Sequence, residues 1–165
     1  MMSADVVGTL LGQVRTLIQQ QKLEQAEALL RHALRTEGDA ADPRITGTLG
    51  EVLSRQGKPG EAEPLFRRAL QGFEQLWGPS DERTVNVVDM LATTLAKQGK
   101  HGEAEPLYRR ALQAYEQLYG PSDERTVTVV WKLAATLAKQ GKHGEAESLF
   151  RRALQGFEQL CGPSD

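Results

Sequence analysis

The chain has 165 residues and 18.2 kDa, 39% hydrophobic and 25% charged, which suits a packed soluble core and excludes a disordered polymer. Twenty Lys and Arg against 22 Asp and Glu leave a net charge of −2, without the bulk positive field of a nucleic-acid binder. One cysteine, Cys161, excludes an internal disulfide, and no apolar run reaches the ~18 residues of a membrane span. Aromatics at 5% are thin for a β-sandwich and normal for a helical protein. The opening Met1-Met2-Ser3-Ala4-Asp5 lacks the basic and apolar regions of a signal peptide, so a reducing, cytoplasmic location is expected.

Helical periodicity runs throughout, and no alternating apolar–polar run suggests a strand. Eight helices are predicted, at about 5–20, 23–37, 43–56, 60–77, 81–98, 102–119, 123–140 and 144–161. In the first two, Val14, Leu17, Ala26, Leu30 and Ala33 form the apolar positions. In the fifth, Val85, Val88, Leu91, Ala92 and Leu95 share one face, Ser80 or Asp81 caps the start, and Gly99 supplies the stop. In the sixth, Ala104, Leu107, Tyr108, Ala111, Leu112 and Tyr115 make the stripe. Pro106 sits near its start, where a missing N–H costs little, and Gly120-Pro121 ends it.

These helices repeat in pairs. Residues 78–119 and 120–161 match at 33 of 42 positions without a gap. The segment 57–78 is the second half of an earlier copy, and Gly162-Pro163-Ser164-Asp165 reads as the opening of a further one. The segment from Gln25 to Leu34 echoes the same second half 36 residues upstream of its counterpart, so the first linker is expected to be six residues shorter. The copies are 5–37, 43–77, 81–119 and 123–161, within one repeat domain spanning 1–165.

The order Leu91, Ala92, Leu95, Gly99, Ala104, Tyr108, Ala111 resembles the tetratricopeptide repeat (TPR) signature. Leu133, Ala134, Leu137, Gly141, Ala146, Phe150 and Ala153 repeat it, as do Leu49, Gly50, Leu53, Gly57, Ala62, Phe66 and Ala69. The first copy is degenerate, with Gln21 in the glycine position. The 42-residue period is similar to that of kinesin light chains and related proteins. The resemblance implies an all-α, right-handed superhelical solenoid of about four hairpins. It also implies a non-enzymatic scaffold binding a peptide segment of a partner protein in its concave groove. The signature has a physical basis. Antiparallel helices approach closely only over small side chains such as Ala92, Ala104 and Ala111, and one hairpin cannot bury its stripe alone.

The third and fourth copies differ at Asn86/Thr128, Asp89/Trp131, Met90/Lys132 and Thr93/Ala135, which fall at i, i+3, i+4 and i+7 on one helical face. In the TPR family this face lines the groove. Exposed Trp131 is a candidate anchor, and Arg55, Lys97 and Lys139 place one basic residue per copy at the groove edge, suited to an acidic peptide or a C-terminal carboxylate. The candidate groove is therefore Arg55, Asn86, Asp89, Met90, Thr93, Lys97, Thr128, Trp131, Lys132, Ala135 and Lys139. Thr48, Met90 and Lys132 stand where chaperone-binding TPR domains carry clamp asparagines. Asp89-Met90 and Trp131-Lys132 stand where kinesin light chains carry an Asn-Asn pair.

No constellation for catalysis, metal or cofactor binding is expected. His101 and His143 recur because the repeat recurs, Glu103 and Glu105 are too close in sequence to share a face, and the paired arginines 67–68, 109–110 and 151–152 are offset by nearby acids. The remaining five differences between the copies lie on the second helix, among them Tyr108/Phe150 and Tyr115/Phe157. Phe150, Leu154 and Phe157 are expected to leave an apolar face on the last helix. The alternative function is a self-assembly module that oligomerises through that face, most simply as a homodimer. No nucleic-acid or membrane partner is expected.

Overall fold

The computed structural model describes residues 2–38 and 41–162. Among them are eight α-helices and no strand. They are α1 (Ala4–Gln19), α2 (Leu23–Glu37), α3 (Pro43–Arg55), α4 (Pro59–Trp77), α5 (Glu82–Lys97), α6 (His101–Tyr119), α7 (Glu124–Lys139) and α8 (His143–Cys161). The chain divides into two compact units, Met1–Gly78 with α1–α4 and Pro79–Asp165 with α5–α8. Each unit contains two antiparallel helical hairpins packed on each other. The opening of a further copy, read at 162–165, falls beyond Gly162 outside the described residues.

The predicted starts and stops have local causes. Asp42, Asp81 and Asp123 cap α3, α5 and α7, accepting from the backbone N–H of Arg44, Arg83 and Arg125 at 2.9, 3.0 and 3.0 Å. The arginine two residues on closes its side chain onto the same carboxylate. Of the two caps offered by the sequence of α5, Asp81 is therefore the one used. Gly57, Gly99 and Gly141 end the first helix of a hairpin at φ between +75° and +79°. After α1 that conformation falls on Gln21, at φ +60°, where a Cβ is strained. Replacing Gln21 by glycine is expected to raise stability by roughly 0.5–1 kcal/mol, read as a higher denaturant midpoint at unchanged slope.

The 36-residue spacing has a different origin from the shorter linker expected. The linker 38–42 is no shorter than 78–81. The missing residues come out of the helices: α2 has 15 residues against 19 in α4, and α3 has 13 against 16 in α5. A second helix can lose its last turn and keep the register of the turns before it.

Each unit buries its own stripe. Val14, Leu30, Ile45, Leu49 and Leu53 are closed from solvent in the first, and Val88, Leu91, Leu95, Leu133 and Leu137 in the second. Ala26, Ala62, Ala92, Ala104, Ala111 and Ala134 are 0% exposed, as expected of small residues between packed helices.

The joint between hairpins carries a polar link that periodicity does not reveal. Glu105 on α6 accepts from Lys142 Nζ at 2.7 Å and Gln140 Nε2 at 2.9 Å, both just beyond α7, and from Arg109 at 2.9 Å on its own helix. In the first unit Glu27 on α2 accepts from Lys58 Nζ, just beyond α3, at 3.2 Å. The Lys142 ammonium, with Gln140 and Arg109, holds the Glu105 carboxyl at about 2, below its ordinary 4.5. A depressed carboxylate adds stability above its unfolded value and loses it as pH falls through the folded one. The α6–α7 joint is thus expected to weaken as pH drops from about 4.5 towards 2. Thermal melts across that window should show a smaller acid-induced loss for Glu105→Gln than for the parent.

Candidate protein-interaction faces

In the second unit the first helices α5 and α7 lie side by side, and their predicted face is largely half-buried. Much of it is occupied with internal bonding. Asp89 on α5 accepts from Lys132 on α7 at 2.7 and 2.9 Å, an inter-hairpin ion pair. Asn86 accepts from the Tyr115 hydroxyl at 2.7 Å, and the Tyr108 hydroxyl donates to Thr93 at 3.1 Å. Burial pushes the Tyr108 hydroxyl up to about 12, so it stays a donor at neutral pH.

These bonds give a new reason for the differences between the copies. Where α5 has Asn86 and Thr93, α6 has Tyr115 and Tyr108. Where α7 has Thr128 and Ala135, α8 has Phe157 and Phe150. Each hydroxyl is present with its partner or absent with it. Two of the four changes on the first helix are thus matched to changes on the second and follow from packing inside a hairpin. The expectation that the whole stripe is free for a ligand is corrected to that extent. Tyr115→Phe alone should cost about 0.5–1.5 kcal/mol by leaving Asn86 without its donor. Combining it with Asn86→Thr, the fourth copy's pairing, should recover part of the loss in a chemical denaturation series.

What remains accessible is narrower. Trp131 is 48% exposed, with its ring edge-on to Phe150 at 4.8 Å between centroids. Lys97 and Lys139 are exposed in the last turns of α5 and α7, and neither forms an ion pair among the described residues. Lys139 lies two turns beyond Trp131 on the same helix, about 12 Å along its axis. Met90 on α5 and Thr128 and Ala135 on α7 are half-buried on the same two helices.

Arg55 belongs to the other unit. It forms an ion pair with Glu51 at 2.8 Å and lines a cleft of about 450 Å³ with Leu11, Arg15, Ile18, Gln19, Gln21, Thr48 and Glu51. The cleft lies between α1 and α3, the equivalents of α5 and α7. Leu11 and Arg15 were missed at the sequence level, although the repeat register marks them: Leu11 aligns with Trp131 and Arg15 with Ala135. Each unit thus presents a first-helix face combining an apolar side chain with cationic ones. Among the described residues no helix is long and apolar enough to cross a membrane.

Family models described as tetratricopeptide repeat match residues 39–117 and 81–159, and a second such model matches 7–32. No curated protein matches the sequence. Solved structures do match. BtubC (BKLC) from P. vanneervenii superposes with a TM-score of 0.79 at 20% identity, over 92% of this chain and 63% of that one. YrrB, described as a TPR protein with an unusual peptide-binding site, gives 0.71 at 17% identity over 89% and 66%. A putative kinesin light chain from Podosopora anserina with nearly identical TPR-like repeats gives 0.72 at 14% over 89% and 72%. The chain spans less than two thirds of the length of BtubC. At these identities the likeness is one of fold.

Proposed function

The chain belongs to the tetratricopeptide repeat family, an all-α fold of generally non-catalytic protein-interaction scaffolds, and we propose that its first-helix faces bind acidic peptide segments bearing an apolar side chain. The observation that carries this reading is the ledge of α5 and α7, with half-exposed Trp131 on α7 and the exposed lysines 97 and 139 in the last turns of the two helices. A half-exposed indole held by one neighbour is a ready anchor, and cations without a protein partner attract a carboxylate that loses little by leaving water. Lys139 lies eight helical positions beyond Trp131. An extended peptide covers that distance in about three to four residues, which sets the spacing between its apolar and acidic groups. The cleft of the first unit combines apolar Leu11 and Ile18 with Arg15, its Arg55 being paired with Glu51. The peptide-binding site named for YrrB supports the reading at the level of the fold.

The test is a fluorescence titration of Trp131 in a Trp77→Phe background. The probes are peptides with one leucine and an aspartate three or four residues away, against the same peptides with lysine for aspartate. Binding by the acidic set alone, lost with Lys97→Glu and Lys139→Glu combined, is expected. Equal response to both sets, or none to either, would count against the ledge.

A further inference from the structure

Both hairpin joints described within the units use one polar link. A second-helix glutamate reaches the lysine just past the next first helix: Glu105 with Lys142, and Glu27 with Lys58. Those lysines occupy the N-cap positions of α8 and α4, and Lys22 occupies the same position before α2. Lys22 is exposed. Glu147 on α8 stands where Glu105 stands on α6, with its side chain 73% exposed and Arg151 as its described partner. One half of the link is therefore open on α8, and the other half just beyond α1.

The apolar surfaces match in the same way. On α6, which packs against α7, Tyr108 and Tyr115 are 2% and 3% exposed. Their counterparts Phe150 and Phe157 are half-buried, and Leu154 between them is 56% exposed. On α7 the residues Thr126, Val130 and Leu137 are buried, whereas the equivalents on α1 are Val6, 50% exposed, with Leu10 and Leu17 half-buried. A third feature selects α1 over a helix like α7. The Arg125 guanidinium sits 3.4 Å from the Tyr119 ring centre, closing the far end of the α6–α7 joint. At the corresponding places α8 has Cys161 and α1 has Asp5, so ring and guanidinium are absent together.

From these complementary halves we propose that the chain associates head to tail, α1 of one copy seating on the Phe150–Leu154–Phe157 stripe of α8 of the next, with Lys22 reaching Glu147. Such a contact joins two different surfaces, so it passes from copy to copy and either propagates or closes into a ring, instead of pairing one patch with itself. Thr9 and Gln13 replace Val129 and Leu133 on the α1 side, which makes the seat more polar and the association weak, with Kd on the order of 100 μM.

Sedimentation equilibrium of the full reduced chain, from about 10 μM to about 1 mM, tests it. The average mass is expected to rise with concentration beyond that of a dimer. Lys22→Glu and Glu147→Lys, both on exposed side chains, should each weaken association about tenfold by placing like charges together. An equimolar mixture of the two variants should recover it, because every joint in the mixed chain then pairs opposite charges. A monomer mass at all concentrations overturns the proposal. So does a dimer plateau indifferent to Lys22→Glu, which would place α8 against α8, or a mixture no better than its components.

Discussion

Ala111→Leu is expected to lower the stability of the α5–α8 unit by ~1–3 kcal/mol, a large share of the 5–15 kcal/mol by which a domain of this size is usually stable. Ala111 is 0% exposed, on the stripe of α6 between Tyr108 and Tyr115, and α6 packs against both α5 and α7. A leucine there adds three carbons to a contact closed on both sides. The neighbouring tyrosines each hold a hydrogen bond to α5 and cannot swing away without breaking it. Ala104→Leu should act similarly where α6 begins. Gln113→Leu, on the exposed side of α6, should change stability by less than about 0.5 kcal/mol and serves as the control. Denaturant midpoints measure all three. If Ala111→Leu is no less stable than Gln113→Leu, the alanine does not lie at a close helix contact.

Trp131→Ala should weaken binding of the acidic peptide by ~1–3 kcal/mol, about a 5- to 150-fold rise in Kd. The indole is half-exposed, so most of its face is available to a ligand. Its edge rests on Phe150, so removing it also costs the fold something, on the order of 0.5–1 kcal/mol for one aromatic pair. The two effects separate in a paired measurement of melting temperature and peptide affinity. Ala134→Leu, at a 0% exposed position one turn away, gives the scale of a true core substitution. A Trp131→Ala melting temperature as low as that of Ala134→Leu, with affinity unchanged, would assign the tryptophan to the core and remove the anchor from the proposed site.

The helices and their pairing were legible because local signals agree. Apolar residues at helical spacing, Asp81 and Asp123 at the starts, and Gly99 and Gly141 at the stops point to the same boundaries. A period repeated at 33 of 42 positions then places the hairpins against one another. The alanines were legible for a steric reason, since a small residue recurring in phase with large ones has little purpose except close approach. Even the degenerate first copy obeys this logic, with Gln21 held at the φ where its counterparts are glycine.

The site was less legible, because side-chain partners lie on other helices. Thr93 meets Tyr108 across 15 residues, Asn86 meets Tyr115 across 29, and Asp89 meets Lys132 across 43. Sequence alone showed which positions had changed between copies. It did not show that a hydroxyl lost from the second helix is balanced by an acceptor lost from the first. That depends on how the two helices of a hairpin are rotated, which the stacked neighbours impose. The same is true of Glu105. Its place near the start of α6 suits the helix dipole, and only tertiary packing brings Gln140 and Lys142 within hydrogen-bond reach of it. The sequence by itself therefore determined the repeat, its caps and its close contacts, because these depend on local conformation and side-chain size. Tertiary structure alone decided which polar groups are internally bonded and which remain for a partner, because that depends on neighbours on other helices, 15 to 43 residues away.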